Sequence, residues 1–468
     1  MVAMRAAGAC VLIAAVASAC APMTATSTAA TSTAATATVA TATATTSTAA
    51  TATAATASAG VPVVRAERFG RLGFSDRQVR VALAGKAASA SVSATTRWMV
   101  DEQGGDRALV RGTGGERWRV EQNEGLLRIA GDGGDATPWR EGPLVARPSD
   151  TNGLVQFDGH RYRGELWFTA TDTGILVVNR LPVEEYLRGV LPLELGTRLV
   201  ADKAALEAQA IAARSYTYAR VPANADRGVE IIPAAGWHVV ATVMSQMYGG
   251  ADVEHTLANE AVDATAGLVL RYGGLIVDAP YSSSCGGRSA TPRDAWRDVS
   301  EESYLQSVDD TDPTTGRPYC DISPRNHWVE ELDETQLQAV VGRALVAAGA
   351  RSPGGPAIQE MRVAQRTGSG RVGTFTIRTD RGDVNIRAND LRTVFRTPRG
   401  AILSSTNFSV DRESRSRGHL TGVTLRGAGN GHGVGMCQWG AIGRSRAGQD
   451  ARTILRFYYP GTVVGIAD

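Results

Sequence analysis

The chain has 468 residues and carries 49 Lys and Arg against 47 Asp and Glu, a formal net charge of +2. That near balance, without a basic run or a basic helix face, speaks against a nucleic-acid binder, and the length leaves room for two or three domains.

Residues 1–19 hold Arg5, then an apolar run over Val11–Val16, and end in Ala17-Ser18-Ala19. The run is too short to span a bilayer and reads as a secretory signal. Cys20 directly after Ala19 is similar to a lipobox, which makes Cys20 the lipid-bearing first residue of an exported lipoprotein, anchored to a membrane and facing the cell wall or periplasm. Ala17 stands where that pattern prefers Leu, so cleavage after Ala19 without a lipid is the alternative. From Thr24 to Ala59 every residue except Val39 is Ala, Thr or Ser. With nothing large to bury, residues 20–60 are expected to be a disordered tether.

Folded sequence is expected from Val61. Val79–Leu83 alternates polar and apolar residues, and strand-like pieces follow at Arg117–Val120, Leu126–Ile129, Leu166–Thr169 and Gly174–Asn179, so residues 61–160 and the stretch just beyond read as a β-rich scaffold. A short helix is expected over Pro182–Leu187. A loop through Gly189-Val190-Leu191-Pro192 then presents Glu194 between Leu193 and Leu195. Asp202 suits the N-cap of an alanine-rich helix running to Arg220, with Pro222 to stop it. On that helix Leu206, Gln209, Ala213 and Tyr216 share a face, with Arg214 to its side. A glutamine in an apolar stripe must find partners; Gln209 is either a structural clamp or a contact to the site around Glu194.

A helix over Val253–Thr265 and a hairpin, Leu268–Tyr272 with Leu275–Asp278, lead to Tyr281-Ser282-Ser283-Ser284-Cys285-Gly286-Gly287, where paired glycines let backbone approach a ligand. Residues 329–415, with helices over Thr335–Ala348 and Ala388–Phe395 and strands between, form an α+β insert that divides the core into residues 161–328 and 416–468. In the last part Gly427, Gly429, Gly431, Gly433 and Gly435 alternate around His432. The Gly-Lys-Ser/Thr of a phosphate loop is missing, and alternate glycines on an extended segment let another chain lie against the backbone. A helix over Ala451–Phe457 precedes Tyr458-Tyr459-Pro460-Gly461. The expected class is α+β. Of the cysteines beyond Cys20, Cys285 with Cys320 is the first candidate disulfide and Cys285 with Cys437 the second.

Three stretches together, VEEYLRGVLPLEL with ALEAQAIAARSYTYAR, then YSSSCGG, then GHGVGMCQWGA with ILRFYYPGT, resemble the SpoIID/LytB family over about residues 160–466. The sporulation branch comprises lytic transglycosylases of peptidoglycan strands lacking stem peptides, and the LytB branch enhances a cell-wall amidase. The resemblance implies that Glu194 is catalytic, that Arg214 and Tyr216 lie near the cleft, and that His432 belongs to the glycine-rich signature; Tyr281 would supply a further wall. It implies peptidoglycan glycan and a wall amidase as partners. Two positions depart from the family. Ser282 stands where many members have His, and the region of a metal site in some members has His238 but Ser245 in place of Cys, so no metal and no cofactor is expected.

Chemistry points the same way. Protonating a glycosidic oxygen near neutral pH requires a carboxylic acid whose pKa is raised, as burial among leucines would do for Glu194. A hydrolase usually needs a second carboxylate. A transglycosylase manages with one, which serves next as the base that closes a 1,6-anhydro ring; Glu184 or Glu185 folding back would supply the second. Two further readings are a glycan-binding or amidase-enhancing protein without chemistry, and an amide-cleaving site of Cys437 or Cys285 with His432.

Overall fold

The computed structural model describes residues 77–103, 105, 107–221, 233–350 and 355–467. The signal, Cys20, the tether and Pro222 lie outside the described residues.

Two antiparallel sheets build the first half. Val239–Val240, Gln78–Ala87, Gly174–Pro182, Glu165–Thr171, Leu144–Pro148, Trp98–Glu102 and Val110–Gly112 form a seven-stranded sheet in that order, its first pair parallel. Leu126–Gly131, Trp118–Asn123, Ser89–Ala94, Val155–Phe157 and His160–Tyr162 form a five-stranded sheet. Val79, Val81, Leu166, Phe168, Ile175 and Val177 from the first meet Val92, Val120, Leu127 and Ile129 from the second in one core. Leu176 and Val178 point to the opposite face, where they join Val145 and Trp167. Gly174–Pro182 is thus buried on both faces, which is why its sequence runs apolar instead of alternating.

Helix α1 (Val183–Leu195) follows that strand directly. It is longer than expected: the segment read as a loop is helical, and Glu194 sits in the last turn of α1. Tyr186, Leu187, Val190 and Leu191 are all buried, and their spacing of one, three and one residues lines a single helix face. Pro192 removes one helix hydrogen bond, but only near the end, and Gly196 closes the helix at φ 71°.

Helix α2 (Lys203–Tyr218) packs against α1, and its alanines 205, 208, 210, 212 and 213 are all buried, which lets neighbouring elements approach it closely. Asp202 precedes α2 without capping it; its carboxylate instead accepts from Arg446 Nε at 2.7 Å. Between the two helices, fully buried Arg214 makes a two-pronged pair with Glu184, 2.7 Å on each arm, and donates to Leu268 O at 3.0 Å.

Helix α3 (Thr256–Ala264) leads to a three-stranded sheet in which Leu268–Tyr272 lies between Leu275–Ile276 and Val463–Ile466. After the single-turn helix α4 (Pro292–Ala295), residues between Trp328 and Leu425 form a second core. It comprises α5 (Glu334–Ala347), α6 (Asp390–Val394) and two three-stranded sheets. The chain then returns to the first core through α7 (Gln438–Arg446) and α8 (Ala451–Tyr458), which both pack on α2.

The return depends on Tyr281–Ser282 pairing in parallel with Met436–Cys437. The glycine-rich stretch is not extended as expected: Gly429, Gly431, Gly433 and Gly435 all have positive φ. A Cβ on Gly435 would stand 2.0 Å from Pro280 O, and one on Gly431 2.8 Å from Ser282 Cβ. The expected close approach of another chain segment is therefore present, and Pro280–Gly286 provides it.

Removing one partner from a buried ion pair strands the other charge. Glu184→Ala should cost about 3 kcal/mol of unfolding free energy, read from denaturant midpoints; a loss below about 1 kcal/mol, the value of a surface pair, would contradict the role given to Arg214.

Candidate functional site

The last turn of α1 aims Glu194 at two donors from distant parts of the chain. Met247 N donates to Oε1 at 2.8 Å, and Gln438 Nε2 donates to Oε2 at 3.1 Å. Gln438 is the first residue of α7, so strand pairing at Met436–Cys437 sets where its amide points. The same amide lies 3.5 Å from Gln209 Oε1 on α2. Gln209 is fully buried, and its Nε2 has no partner among the described residues. Gln209 thus clamps Gln438 with its oxygen, while its amide nitrogen remains unsatisfied beside the carboxylate's own partner.

Burial raises the Glu194 carboxyl above the usual range, and the hydrogen bonds from Met247 and Gln438 only partly offset it. Burial disfavours the charged form, whereas N–H donors favour it; here burial wins. The folded carboxyl therefore holds its proton more tightly than the unfolded one. Its contribution to stability is fully present below the unfolded pKa and is lost as pH rises through the folded value.

Three tyrosines surround the acid closely enough for its charge to raise their hydroxyl pKa values, although burial is the largest cause for each: Tyr186, Tyr216 and Tyr281. They remain neutral hydrogen-bonding groups. Gln246 joins two of them: its Oε1 accepts from Tyr186 at 3.1 Å and Thr217 at 2.9 Å, and its Nε2 donates to the Tyr281 hydroxyl at 2.8 Å. The Tyr281 proton is left to donate outward. Tyr216 stands 6.4 Å from Tyr281, ring to ring, and Arg220 lies 3.3 Å over the Tyr216 ring while paired with Asp278. On the α7 side, half-buried Trp439 stacks under Arg198 at 4.8 Å. The acid thus has tyrosine rings around it, surfaces suited to sugar faces and hydroxyls.

The structure gathers Glu194, Gln209, Tyr216 and Tyr281 but not the other expected contacts. Arg214 is wholly occupied by Glu184 and backbone carbonyls. His432 stacks on Trp296 at 4.9 Å and accepts from Val434 N through Nδ1 at 3.1 Å. Burial, then the charges of Arg392 and Arg371, push its pKa down to about 3. His432 is therefore a neutral brace of the glycine-rich turn. Ser282, where the family often has His, is buried and its hydroxyl has no partner among the described residues. His238 accepts from Arg80 N at the seven-stranded sheet, and Ser245 accepts from Val240 N.

No bond joins Cys285 to Cys320, contrary to the expected disulfide: the two thiols lie 3.7 Å apart, and Cys437 is also reduced. Their buried surroundings leave neither Cys285 nor Cys437 arranged with His432 as a nucleophile and base. Glu184 does not fold back as a second carboxylate, because Arg214 holds it. Sequence reading missed Gln246 and the Met247 amide, which carry no motif, and Gln438, which lies inside the quoted GHGVGMCQWGA stretch.

Comparison with known proteins fits this geometry. The SpoIID family, described as stage II sporulation protein, matches residues 171–272, which carry α1, α2 and α3. A domain of unknown function matches residues 320–435, the span of the second core. The chain is 30% identical over 312 residues to an uncharacterised protein of Brachyspira hyodysenteriae, covering 67% of this chain and 74% of that one. It is 29% identical to the amidase enhancer of Bacillus subtilis, over 67% of this chain but only 45% of the enhancer. It is 26% identical to stage II sporulation protein D of Bacillus subtilis, over 62% and 76% of the two chains. The chain belongs to the SpoIID/LytB family.

A hydrogen bond to a charged group contributes about 1.5–3 kcal/mol. Gln438→Ala should therefore raise the Glu194 pKa further. Titration of isotope-labelled glutamate, with Glu194→Gln to assign the signal, checks this; an unchanged or lower value would show that Gln438 does not hold the carboxylate.

Proposed function

We propose that the chain is an exported cell-wall protein that cleaves the glycan strands of peptidoglycan, stripped of stem peptides, by lytic transglycosylation. Glu194 serves as both acid and base. The observation that carries this reading is a single acid with a raised pKa, held by two neutral donors, for which no other carboxylate figures among the causes of the shift.

In the first step the Glu194 carboxyl gives its proton to the glycosidic oxygen as the bond from that oxygen to the anomeric carbon breaks. The leaving sugar departs with a free hydroxyl, and Glu194 is left as a carboxylate. Met247 N and Gln438 Nε2 then stabilise the charge for which they are already placed. In the second step that carboxylate removes the proton from the sugar's own C6 hydroxyl, whose oxygen attacks the anomeric carbon and closes the anhydro ring. Glu194 ends protonated, and no water is consumed. A second carboxylate is not needed, unlike in most hydrolases. Neutral Tyr216 and Tyr281 would orient sugar hydroxyls, with Trp439 offering a stacking face. A lipid on Cys20 and the Ala/Thr/Ser-rich tether would hold this domain to a membrane while leaving it free to reach the wall.

The amidase enhancer relative favours a second reading, in which the same cleft binds glycan for a wall amidase without cutting it. Products separate the two. The chain incubated with peptide-free sacculi should release 1,6-anhydro-ended fragments, and Glu194→Gln should lower that release by about a thousandfold or more, the scale of losing a general acid and base while still sedimenting with sacculi. Equal release by the variant would remove Glu194 from catalysis; no release by either, with binding intact, would favour the enhancer.

A further inference from the structure

Three cysteines and an aspartate converge from four parts of the chain. Cys285 comes from the YSSSCGG loop, Asp310 and Cys320 from the turns that follow, and Cys437 from the residue before α7. All four are buried, and one ligand atom from each lies within 4.8 Å of all the others. We propose that these residues form a structural zinc site, with Cys285, Cys320, Cys437 and Asp310 as its four ligands.

The spacing of the sulfurs is the first argument. Zn–S bonds of about 2.3 Å at tetrahedral angles hold neighbouring sulfurs about 3.8 Å apart. Cys285 and Cys320 stand at 3.7 Å, far beyond a disulfide bond of about 2.05 Å. Three thiolates with one carboxylate and no open position suit a closed, four-coordinate zinc rather than calcium or magnesium, which prefer oxygen.

The groups around the cluster are arranged for anionic ligands. Cys437 Sγ accepts from two backbone amides, Cys285 N at 3.1 Å and Gly440 N at 3.3 Å, and it stands at the N-terminus of nine-residue α7. Asp310 Oδ1 accepts from Arg444 Nε at 3.0 Å and from the Tyr458 hydroxyl at 2.8 Å. Its Oδ2 is the oxygen turned toward the sulfurs, 3.5 Å from Cys285 Sγ. Metal-binding carboxylates are commonly fixed in this way by partners on the other oxygen. The site also leaves no room for a side chain at Gly440, where a Cβ would stand 2.2 Å from Asp310 Oδ2.

Charge supplies an independent argument. Arg371 reaches in from the inserted domain, fully buried, and donates to Cys285 O at 2.8 Å, while its Nε and Nη1 have no partner among the described residues. A buried guanidinium without a paired anion is costly. Three thiolates and one carboxylate bring four negative charges; a divalent cation with Arg371 and Arg444 brings four positive ones. With three neutral thiols, Arg371 faces no compensating charge from the cysteines.

The zinc would fasten the loop after Tyr281, the turn at Cys320 and the start of α7 into one unit. Gln438 follows Cys437 directly, so the same ligand would position the amide that holds Glu194. The site does not depend on glycan cleavage, and its test does not use it.

The full chain purified without chelator and under reducing conditions should carry about one zinc per molecule by elemental analysis and native mass spectrometry, as a closed structural site requires. After exchange, cobalt(II) should give thiolate-to-metal charge-transfer absorption and the intense visible bands of tetrahedral coordination. Cys320→Ser should lose that charge-transfer intensity in part and weaken metal retention against a competing chelator by about a hundredfold or more. A folded, metal-free chain with Cys285 joined to Cys320 would overturn the proposal. So would cobalt uptake without a thiolate band, or three thiols in the folded chain that all react freely with alkylating agent in the presence of zinc.

Discussion

The fold depends on the backbone contact between Pro280–Gly286 and Gly429–Met436. Gly431 and Gly435 leave space where any side chain would collide with Ser282 or Pro280, and Tyr281–Ser282 can then pair with Met436–Cys437. This contact closes a loop of about 150 residues, and the inserted domain lies inside that loop. It also sets the start of α7, from which Gln438 reaches back to Glu194 across 244 positions. Without the glycines, the carboxylate and its amide partner would not meet.

Around that contact, the site balances two opposing effects on one acid. Burial favours the protonated form of Glu194, and two neutral donors stand ready for the carboxylate that forms when the proton leaves. A cation in place of Gln438 would hold the acid ionised, and a second nearby carboxylate would raise its pKa further. An amide does neither, which suits a group that must give a proton and take one back. The same economy appears in the tyrosines: Gln246 fixes Tyr186 and Tyr281 without charging either.

Much of this was legible in the sequence, for identifiable reasons. Alternating residues marked Val79–Leu83, within the strand Gln78–Ala87, and alanine content marked α2, because local pattern and propensity agree there with the final packing. Glu194 stood out as a carboxylate among leucines. The rest was hidden where tertiary contact overrules local signals. Gly189–Pro192 read as a loop, yet the apolar face from Tyr186 to Leu191 carries α1 past Pro192. Arg214 looked like a group for substrate, but its helix faces Glu184, and no wheel reveals what stands opposite. Gln246 and Met247 come from a stretch whose contribution is one amide side chain and one backbone N–H, neither of which leaves a motif. The cysteines suggested a disulfide because an exported chain permits one; Asp310, which meets all three, becomes visible only in space.

The inserted domain has its own core and meets the first core through Arg371 at the cysteine cluster, so its seating and the order of the loop after Tyr281 are linked. The central claim concerns what Glu194 does when glycan lies across it, and the fate of solvent oxygen tests it most directly. Peptide-free glycan cut by the chain in heavy-oxygen water should yield anhydro-ended fragments with no solvent oxygen in the new ends, because ring closure consumes no water. Reducing ends carrying the heavy oxygen would show hydrolysis and contradict the single-acid account.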